Sequence, residues 1–350
     1  MLQDSAYIGV GEPARRVNDA LAKKGPMGEF AAMNLGVFSQ VVAMAQRGLD
    51  PASTADCTRL ALEAWHETRQ AQNILLAEEF PGIQFLGVDA VLSRRKRRIV
   101  MLLHNVASKK RWLALSRLGL SRRVDHFLCL SPHSQRVLVE EYGLPLERVS
   151  VIYSRVDTDY FRPQPEQPVK RQVCAAGAVN RDYGSLIYAA MGLGAEVKIA
   201  ADTVWRYSVA GKEHDQARAL PPNVEMRSWG NYANLRQLYA ESRVVVVPLA
   251  RPIISGITVA LEGMAMGKPV ILTRNPYVEG FLEDGVTGFY VEPGDSIQLR
   301  ERISWLLDHP EEAEAMGRRG REKAERDFSV SRYVERILAP FSATGAPVPA

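Results

Sequence analysis

Cysteine is scarce in this chain of 350 residues, which has three, at Cys57, Cys129 and Cys174. Three widely separated thiols give neither a zinc-ligand spacing nor an even set for a disulfide framework, so we predict buried free thiols in a reducing compartment. No apolar run reaches the roughly 18 residues that a transmembrane helix needs. The first residues also lack a basic segment followed by an apolar core and a small-residue cleavage site. We therefore expect a cytoplasmic protein, soluble or attached to a membrane surface.

Acidic residues are missing from one stretch. Between residues 94 and 123 there are eleven Lys or Arg and no Asp or Glu, although the net charge of the whole chain is only +4. Apolar residues such as Trp112 and Leu115 interleave with the second half of this stretch. Two interpretations stay open: a solvated helix with ordinary core leucines, or a basic amphipathic helix on an anionic membrane surface. Nucleic acid is a poorer partner, because no aromatic stacking set accompanies the charges.

What the sequence does contain is an alternation of short apolar runs and helical patterns. Apolar runs such as 99–103 and 244–247 are typical of parallel strands that are buried on both faces. Strands that alternate with helices predict a parallel sheet in each half of the chain. The length suits two domains, and the Pro- and Gln-rich stretch that ends near Pro168 has the composition of a linker. We predict domains over 1–165 and 170–327, followed over 328–350 by a helix that crosses back and a loose tail.

Residues 1–90 show a less regular pattern. Residues 6–11 fit either a short strand with a Gly-x-Gly turn or an irregular arm. Helical patterns extend over 34–48 and 54–79, and the apolar run 83–88 predicts a strand.

The most informative stretch is 255–270, which predicts a helix between two buried strands. Gly267 followed by Pro269 is a helix stop, because Gly accepts the left-handed conformation and Pro cannot continue the helix. At the other end, Ser255 and Gly256 precede the helix, where free backbone N–H groups and the helix dipole favour an anion. Without a Cβ, Gly256 would let a phosphate approach the backbone. Glu262, two turns into the helix, either faces that pocket and binds hydroxyl groups, or lies on a solvated face.

Downstream of this helix the sequence has a Gly-x-x-Gly turn at 285–288 and a Pro-Gly-Asp turn at 293–295. Together with Met-Ala-Met-Gly-Lys-Pro-Val at 264–270, these motifs resemble the nucleotide-binding domain of family 4 glycosyltransferases. The resemblance covers about 99–338. It implies an α/β protein of the GT-B fold, in which two Rossmann-like domains face each other across a cleft. It also implies transfer of a hexose from a nucleotide diphosphate sugar, expected to be a UDP-sugar, with retention and without a metal or cofactor.

The resemblance also implies roles for particular residues. Arg181 and the helix start would neutralise the diphosphate, and Glu262 would hold the ribose hydroxyls. His104, at the end of a buried strand, would contact the donor near the reacting carbon, with His66 as a weaker candidate. The remaining donor-site residues implied by the resemblance are Gly177, Trp229, Tyr232, Ser255, Gly256, Ile257 and Thr258.

Each assignment has an alternative. Arg181 could form a surface ion pair with Asp182, and a lone histidine at a strand end is often a structural group. Many family members have a Glu where this chain has Ile254, and an Arg where it has Ala178. A second hypothesis is therefore a GT-B protein that binds nucleotide without catalysis, for example as a partner subunit, and a third is an epimerase. The acceptor stays open among small molecules, glycans and lipid-linked compounds.

Overall fold

The computed structural model describes residues 2–9, 38–43, 47–50, 53–93, 97–106, 109–202 and 220–342. The chain divides into two compact units. The first comprises the described residues of Met1–Tyr153 and Val330–Ala350, and the second is Ser154–Ser329. The predicted tail at 344–350 lies outside the described residues.

The first unit contains a six-stranded sheet in which every strand pairing is parallel. Its spatial order is β2-β1-β3-β4-β5-β6. The strands are β1 (Leu2–Gly9), β2 (Phe38–Ala43), β3 (Asn73–Leu76), β4 (Arg98–Leu103), β5 (His126–Cys129) and β6 (Val149–Val151). The helices among them are α1 (Thr54–Glu67), α2 (Glu79–Leu92), α3 (Lys109–Arg117) and α4 (Pro132–Arg136), and α4 continues as a π-helical turn over Val137–Glu141.

The amino-terminal part of this unit corrects three of our predictions. The predicted helix over 34–48 is wrong at 38–43, where β2 pairs with β1. The helix predicted over 54–79 ends at Glu67, and Asn73–Leu76 is a buried strand. The strand predicted over 83–88 is part of helix α2. The cause is the same in the last two cases, because a short continuous apolar run does not distinguish a buried strand from a buried helix.

The second unit also has a parallel six-stranded sheet, in the order β12-β11-β10-β7-β8-β9. The strands are β7 (Gln172–Ala176), β8 (Glu196–Asp202), β9 (Val224–Ser228), β10 (Val244–Val247), β11 (Val270–Thr273) and β12 (Gly288–Val291). The helices are α5 (Tyr183–Ala190), α6 (Tyr232–Glu241), α7 (Ile257–Ala265), α8 (Ser296–Asp308) and α9 (Pro310–Phe328). The last helix, α10 (Val330–Leu338), belongs to the first unit. Two Rossmann-like α/β units confirm the predicted fold class.

The predicted stop of helix α7 is confirmed in atomic detail. The N–H of Gly267 donates to the carbonyl of Met264 at 2.9 Å, and that of Lys268 donates to the carbonyl of Gly263 at 3.0 Å. Gly267 has a φ of +70°, which a residue with a side chain adopts only under strain. The chain therefore turns sharply at Gly267 into strand β11.

None of the helices in the described part of the chain combines the length and the hydropathy of a transmembrane span.

Candidate active site

The loops that carry the predicted donor-site residues follow strands of the second sheet. Gly177 and Arg181 follow β7, Trp229 follows β9, and Ser255 follows β10. Because the strands are parallel, these loops lie along one edge of the sheet. Strands β7 and β10 are neighbours, and the chain order runs outwards from them in opposite directions. The space between their loops is therefore the topological switch point, where open α/β sheets bind ligands.

Arg181 is held at this switch point by three hydrogen bonds. Its Nε donates to the carbonyl of Ala176 at 2.8 Å, and its Nη1 donates to the carbonyl of Val179 at 2.7 Å and to Oγ of Ser255 at 3.2 Å. The Ser255 hydroxyl donates in turn to the Val179 carbonyl at 3.1 Å. The guanidinium group therefore links the loop after β7 to the residue before helix α7.

Asp182, the alternative ion-pair partner of Arg181, is engaged by a helix. The Asp182 carboxylate caps helix α5, where it accepts hydrogen bonds from the N–H and the hydroxyl of Ser185 at 3.1 and 2.6 Å. Burial lowers the pKa of Arg181, while the nearby phenol groups and the Glu262 carboxylate act in the opposite direction. Arginine stays charged under such conditions because its unperturbed pKa is so high. The switch point therefore carries a fixed, partly desolvated positive charge.

Two glycines make this arrangement possible. Gly177 has a φ of +102°, and a Cβ built on it would collide with Nη2 of Arg181 and lie 2.9 Å from its Cζ. Gly256 has a φ of +78°, and its Cβ would lie 2.7 Å from Cγ1 of Val247 and 2.9 Å from a Cδ of Leu249. Protein atoms occupy the position that a Cβ of residue 256 would take, so the packing itself requires glycine here. The approach of a phosphate to the Gly256 backbone stays a prediction.

Helix α7 begins at Ile257, directly after Gly256, which has no side chain to cap it. Ile257 is buried and anchors the first turn, whereas Thr258 is exposed. The N–H groups at the start of a helix have no partner within the helix, and the dipole adds partial positive charge there. Ser255 and Arg181 lie beside this helix start, so two sources of positive potential converge on the switch point.

Glu262 lies in the protein interior, contrary to the interpretation that placed it on a solvated face. Only 4% of its surface is exposed, and its carboxylate accepts a hydrogen bond from the hydroxyl of Tyr239 at 2.8 Å. Burial, followed by the Glu262 charge, raises the pKa of Tyr239 well above its usual range. The phenol therefore stays protonated and continues to donate to Glu262. Tyr239, on helix α6, had no signal in the sequence beyond its helical position.

The loop after β9 brings Trp229 and Tyr232 to the same edge of the sheet. The Trp229 carbonyl accepts hydrogen bonds from the N–H of Asn231 and from Nδ2 of Asn234, both at 2.9 Å. The guanidinium of Arg227 lies 4.0 Å from the centroid of the Trp229 ring. Tyr232 is 9% exposed and packs edge-on against Phe161. Hydrogen bonds and ring contacts therefore hold this loop, and the Trp229 carbonyl already has two partners within it.

The first unit contains His104, one residue beyond β4. Its Nδ1 lies 3.5 Å from a carboxylate oxygen of Glu78, and the side chain is 22% exposed. The neighbouring Glu79 is buried and accepts a hydrogen bond from the N–H of Asn105 at 2.5 Å. Potential ligand atoms of Glu78, Glu79 and His104 all lie within 4.8 Å of one another, so these three could hold a metal ion. His66, the weaker candidate, is exposed in the last turn of helix α1.

The basic stretch 94–123 is partly internal. Asp89, which is buried, lies 3.7 Å from Arg97 and 3.0 Å from Arg123, so two of the eleven cations pair with an acidic group outside the stretch. Helix α3 forms as predicted, and its Trp112 stacks on Tyr142 with the ring centroids 4.6 Å apart.

Two family models match the chain. "Glycosyl transferases group 1" matches residues 193–323, and "Glycosyltransferase Family 4" matches residues 62–160. Each model covers less than half of the chain, and together they match parts of both halves. The chain has the GT-B fold. Its structure is similar to those of Anabaena HepE in complex with UDP and with UDP-glucose, with TM-scores of 0.70 and 0.71. These similarities cover 97% of this chain and 99% of HepE at 15% and 16% sequence identity, so they concern the fold.

Curated relatives are similar over part of their length. An MMP α-(1→4)-mannosyltransferase of Mycolicibacterium hassiacum is 25% identical over 230 residues, which is 63% of this chain and 54% of that protein. D-inositol 3-phosphate glycosyltransferase 1 of Catenulispora acidiphila is 26% identical over 236 residues, or 58% of this chain and 54% of that protein. The GT-B chain thus spans about half the length of these two relatives.

Glu78 and Glu79 were not among the predicted site residues. Both follow β3, and β3 was hidden inside the helix predicted over 54–79. Had 73–76 been recognised as a strand, two carboxylates at its carboxyl end would have marked the same sheet edge as His104. Thr273 was also missed; its Oγ1 accepts a hydrogen bond from the N–H of Leu249 at 2.9 Å and so ties the loop after β10 to strand β11.

Proposed function

We propose that this GT-B protein is a retaining glycosyltransferase that moves a hexose from a nucleotide diphosphate sugar, with a UDP-sugar as donor, to an acceptor hydroxyl. The observation that carries the proposal is the position of Arg181, hydrogen-bonded to Ser255 beside the start of helix α7 at the switch point. A charged guanidinium and a helix amino terminus are the groups that an anionic diphosphate requires.

The chemistry demands this electrostatic arrangement. The bond between the anomeric carbon and the diphosphate oxygen breaks, and its electron pair leaves with the diphosphate. The acceptor oxygen forms the new bond on the same face of the sugar, and its proton passes to an oxygen of the departing diphosphate. Fixed dipoles and charges placed where negative charge develops lower the barrier, because they need no reorganisation during the reaction. Arg181 and the first turn of α7 would provide this stabilisation without a metal ion.

The other predicted residues have more limited roles in this proposal. Glu262 would accept hydrogen bonds from ribose hydroxyls, with Tyr239 holding its carboxylate in place. The loop with Trp229 and Tyr232 would form one wall of the base site. His104 would contact the donor sugar, as the family resemblance implies. UDP as the nucleotide is supported by the HepE complexes, which contain UDP and UDP-glucose.

Calorimetric titration tests the donor site directly. UDP, GDP, ADP and their sugars would be titrated into the full chain, once with Mg²⁺ and once with EDTA. We expect a uridine nucleotide, UDP or a UDP-sugar, to bind with the same dissociation constant in both buffers. Arg181→Ala should weaken that binding about tenfold or more, the effect of losing roughly 1.4 kcal/mol. Equal UDP affinity of Arg181→Ala and wild type would show that Arg181 does not bind the diphosphate. Binding only in the presence of Mg²⁺ would contradict a metal-independent site.

A GT-B protein that binds nucleotide without catalysis is the second candidate. It is favoured by Ala178 and Ile254, which lie in the two loops flanking the switch point, where family members carry Arg and Glu. Nucleotide binding with no release of UDP from UDP-sugars, across acceptors of all three classes, would support it. Product analysis without an acceptor separates both candidates from an epimerase, which would convert the donor itself.

We also propose that the first unit attaches to anionic membranes, which would suit a lipid-linked acceptor. Exposed apolar side chains lie on and after helix α3, with Leu113 46% and Leu118 69% exposed. Arg117 lies between these leucines in the sequence and Arg122 follows them, and both arginines are exposed. Apolar residues next to cations favour a surface with anionic headgroups. Cosedimentation with vesicles of anionic phospholipid should fall after Arg117→Glu with Arg122→Glu; unchanged cosedimentation would contradict the assignment.

A further inference from the structure

Two carboxylates and a histidine meet at the carboxyl edge of the first sheet. Strands β3 and β4 pair in parallel, with Leu76 opposite Met101. Glu78 lies two residues beyond β3, and His104 lies one residue beyond β4, so the register brings them to the same point. This juxtaposition is a direct consequence of the strand pairing.

The backbone at His104 is held by the second carboxylate. Glu79, which is 5% exposed, accepts the N–H of Asn105 at 2.5 Å. A carboxylate that accepts a backbone N–H forms a strong, charge-assisted hydrogen bond. The turn that carries His104 is therefore fixed to the first turn of helix α2, which begins at Glu79.

The two ring nitrogens of His104 are in different surroundings. Nδ1 is shielded from solvent and has no hydrogen-bond partner among the described residues, and a carboxylate oxygen of Glu78 lies 3.5 Å from it. The side chain as a whole is 22% exposed, so the exposure belongs to its other atoms. A carboxylate beside one ring nitrogen favours the form that carries a proton on that nitrogen. Polar contacts at active sites are often long without substrate and shorten when it binds.

We propose that Glu78 is a positioning residue that keeps a proton on Nδ1 of His104 and so leaves Nε2 free to accept a hydrogen bond from a ligand hydroxyl. The proposal rests on the glycosyltransferase function proposed above, since a sugar offers such hydroxyls. Glu78 acts through His104 and does not itself touch the ligand. Glu79 contributes by fixing the backbone on which the ring is mounted.

The tautomer of His104 can be measured in the free protein by long-range ¹⁵N–¹H correlation spectroscopy. The chain has six histidines, and the signals of His104 are assigned by their loss in His104→Gln. In wild type we expect a protonated Nδ1. In Glu78→Leu we expect the proton to move to Nε2, the form preferred in water, whereas Glu78→Gln keeps an acceptor and should preserve the wild-type pattern. Glu147→Leu, at an exposed position of the same unit, is the matched control.

A protonated Nε2 in wild type, or no change in Glu78→Leu, would overturn the proposal. Thermal unfolding of each variant shows whether it is folded, and Glu78→Gln covers the case in which Glu78→Leu is not. Addition of Mg²⁺, Mn²⁺ or Zn²⁺ provides a further test, because a shift of the His104 signals at micromolar metal would show a cation site instead.

Catalysis gives a second, separate readout. If the transferase function is correct, Glu78→Leu should lower the turnover number about tenfold or more, a loss of the size seen when metal-ligating histidines lose their hydrogen-bonding carboxylate. Its dissociation constant for UDP should stay that of wild type. Failure of the proposed function would appear as absent UDP binding and turnover in wild type. The tautomer of His104 is measured in the free protein, so it would still test the role of Glu78 separately.

Discussion

Gly177→Ala is a sharp probe of the donor site, because it disturbs Arg181 without changing any charge. The added Cβ would collide with Nη2 of Arg181 and lie only 2.9 Å from Cζ and 3.0 Å from Nε. The guanidinium must move and give up its hydrogen bonds, which we expect to cost about 1–2 kcal/mol after water replaces part of them. The φ of +102° adds strain of about 1–2 kcal/mol. The unfolding free energy should therefore fall by about 3 kcal/mol in total.

The assay combines urea unfolding with calorimetric titration of UDP. Gly194→Ala is the matched control in the same unit, because Gly194 also has a positive φ, +65°, but a Cβ added there would meet no atom within 4 Å. It should lose about 1 kcal/mol of stability from strain alone and bind UDP as wild type does. Gly177→Ala should bind UDP about tenfold more weakly, equivalent to roughly 1.4 kcal/mol.

A double-mutant cycle decides whether the effect acts through the guanidinium. In the Arg181→Ala background the added Cβ has nothing to displace, so Gly177→Ala should cause little further loss of affinity. Wild-type UDP affinity in the single variant Gly177→Ala, together with lowered stability, would refute the reasoning. Arg181 would then not hold the diphosphate from its observed position.

Three further predictions concern buried polar groups. Tyr239→Phe removes the donor to the Glu262 carboxylate and should lower the unfolding free energy by about 1.5–3 kcal/mol in urea titrations; an unchanged midpoint would contradict this. Burial lowers the pKa of Lys268 to about 8 from 10.5, so between these values the unfolded chain binds more protons and stability rises with pH. Lys268→Met should remove that rise. If stability still rose with pH in this variant, another group would be the cause. Burial raises the pKa of Cys129 and Cys174 to about 12 each, so iodoacetamide at pH 8 should alkylate them only after unfolding, as mass spectrometry would show.

The second unit could be predicted well because its elements carry explicit end signals. Gly267 and Pro269 stop helix α7, and Asp295 caps helix α8 by accepting the N–H of Gln298. The last helix, predicted within 328–350, is α10 at Val330–Leu338. Such signals act over a few residues, so a single sequence reveals them.

The elements of the amino-terminal part were harder to predict, because its apolar runs lack such residues that mark where a helix or strand ends. Helix α2 is apolar on more than one side, with Phe85, Leu86 and the neighbouring Gly82 all buried, so it has no clear 3.6-residue periodicity. Gly256 shows a different limit. Its identity suggested close approach by a ligand, whereas only the three-dimensional packing of Val247 and Leu249 reveals why a side chain is excluded there.

The two ends of the second unit lie next to each other. Val156 and Ser329 form a parallel β-bridge, and the N–H of Val156 donates to the carbonyl of Phe328 at 2.8 Å. The second unit is thus one continuous segment inserted into the first, which includes helix α10 with its buried Tyr333 and Ile337. During synthesis the first unit cannot complete its core until the whole insert has emerged from the ribosome. The insert can close on itself earlier, so the proposed nucleotide-binding half should reach its native state first, although it is encoded second.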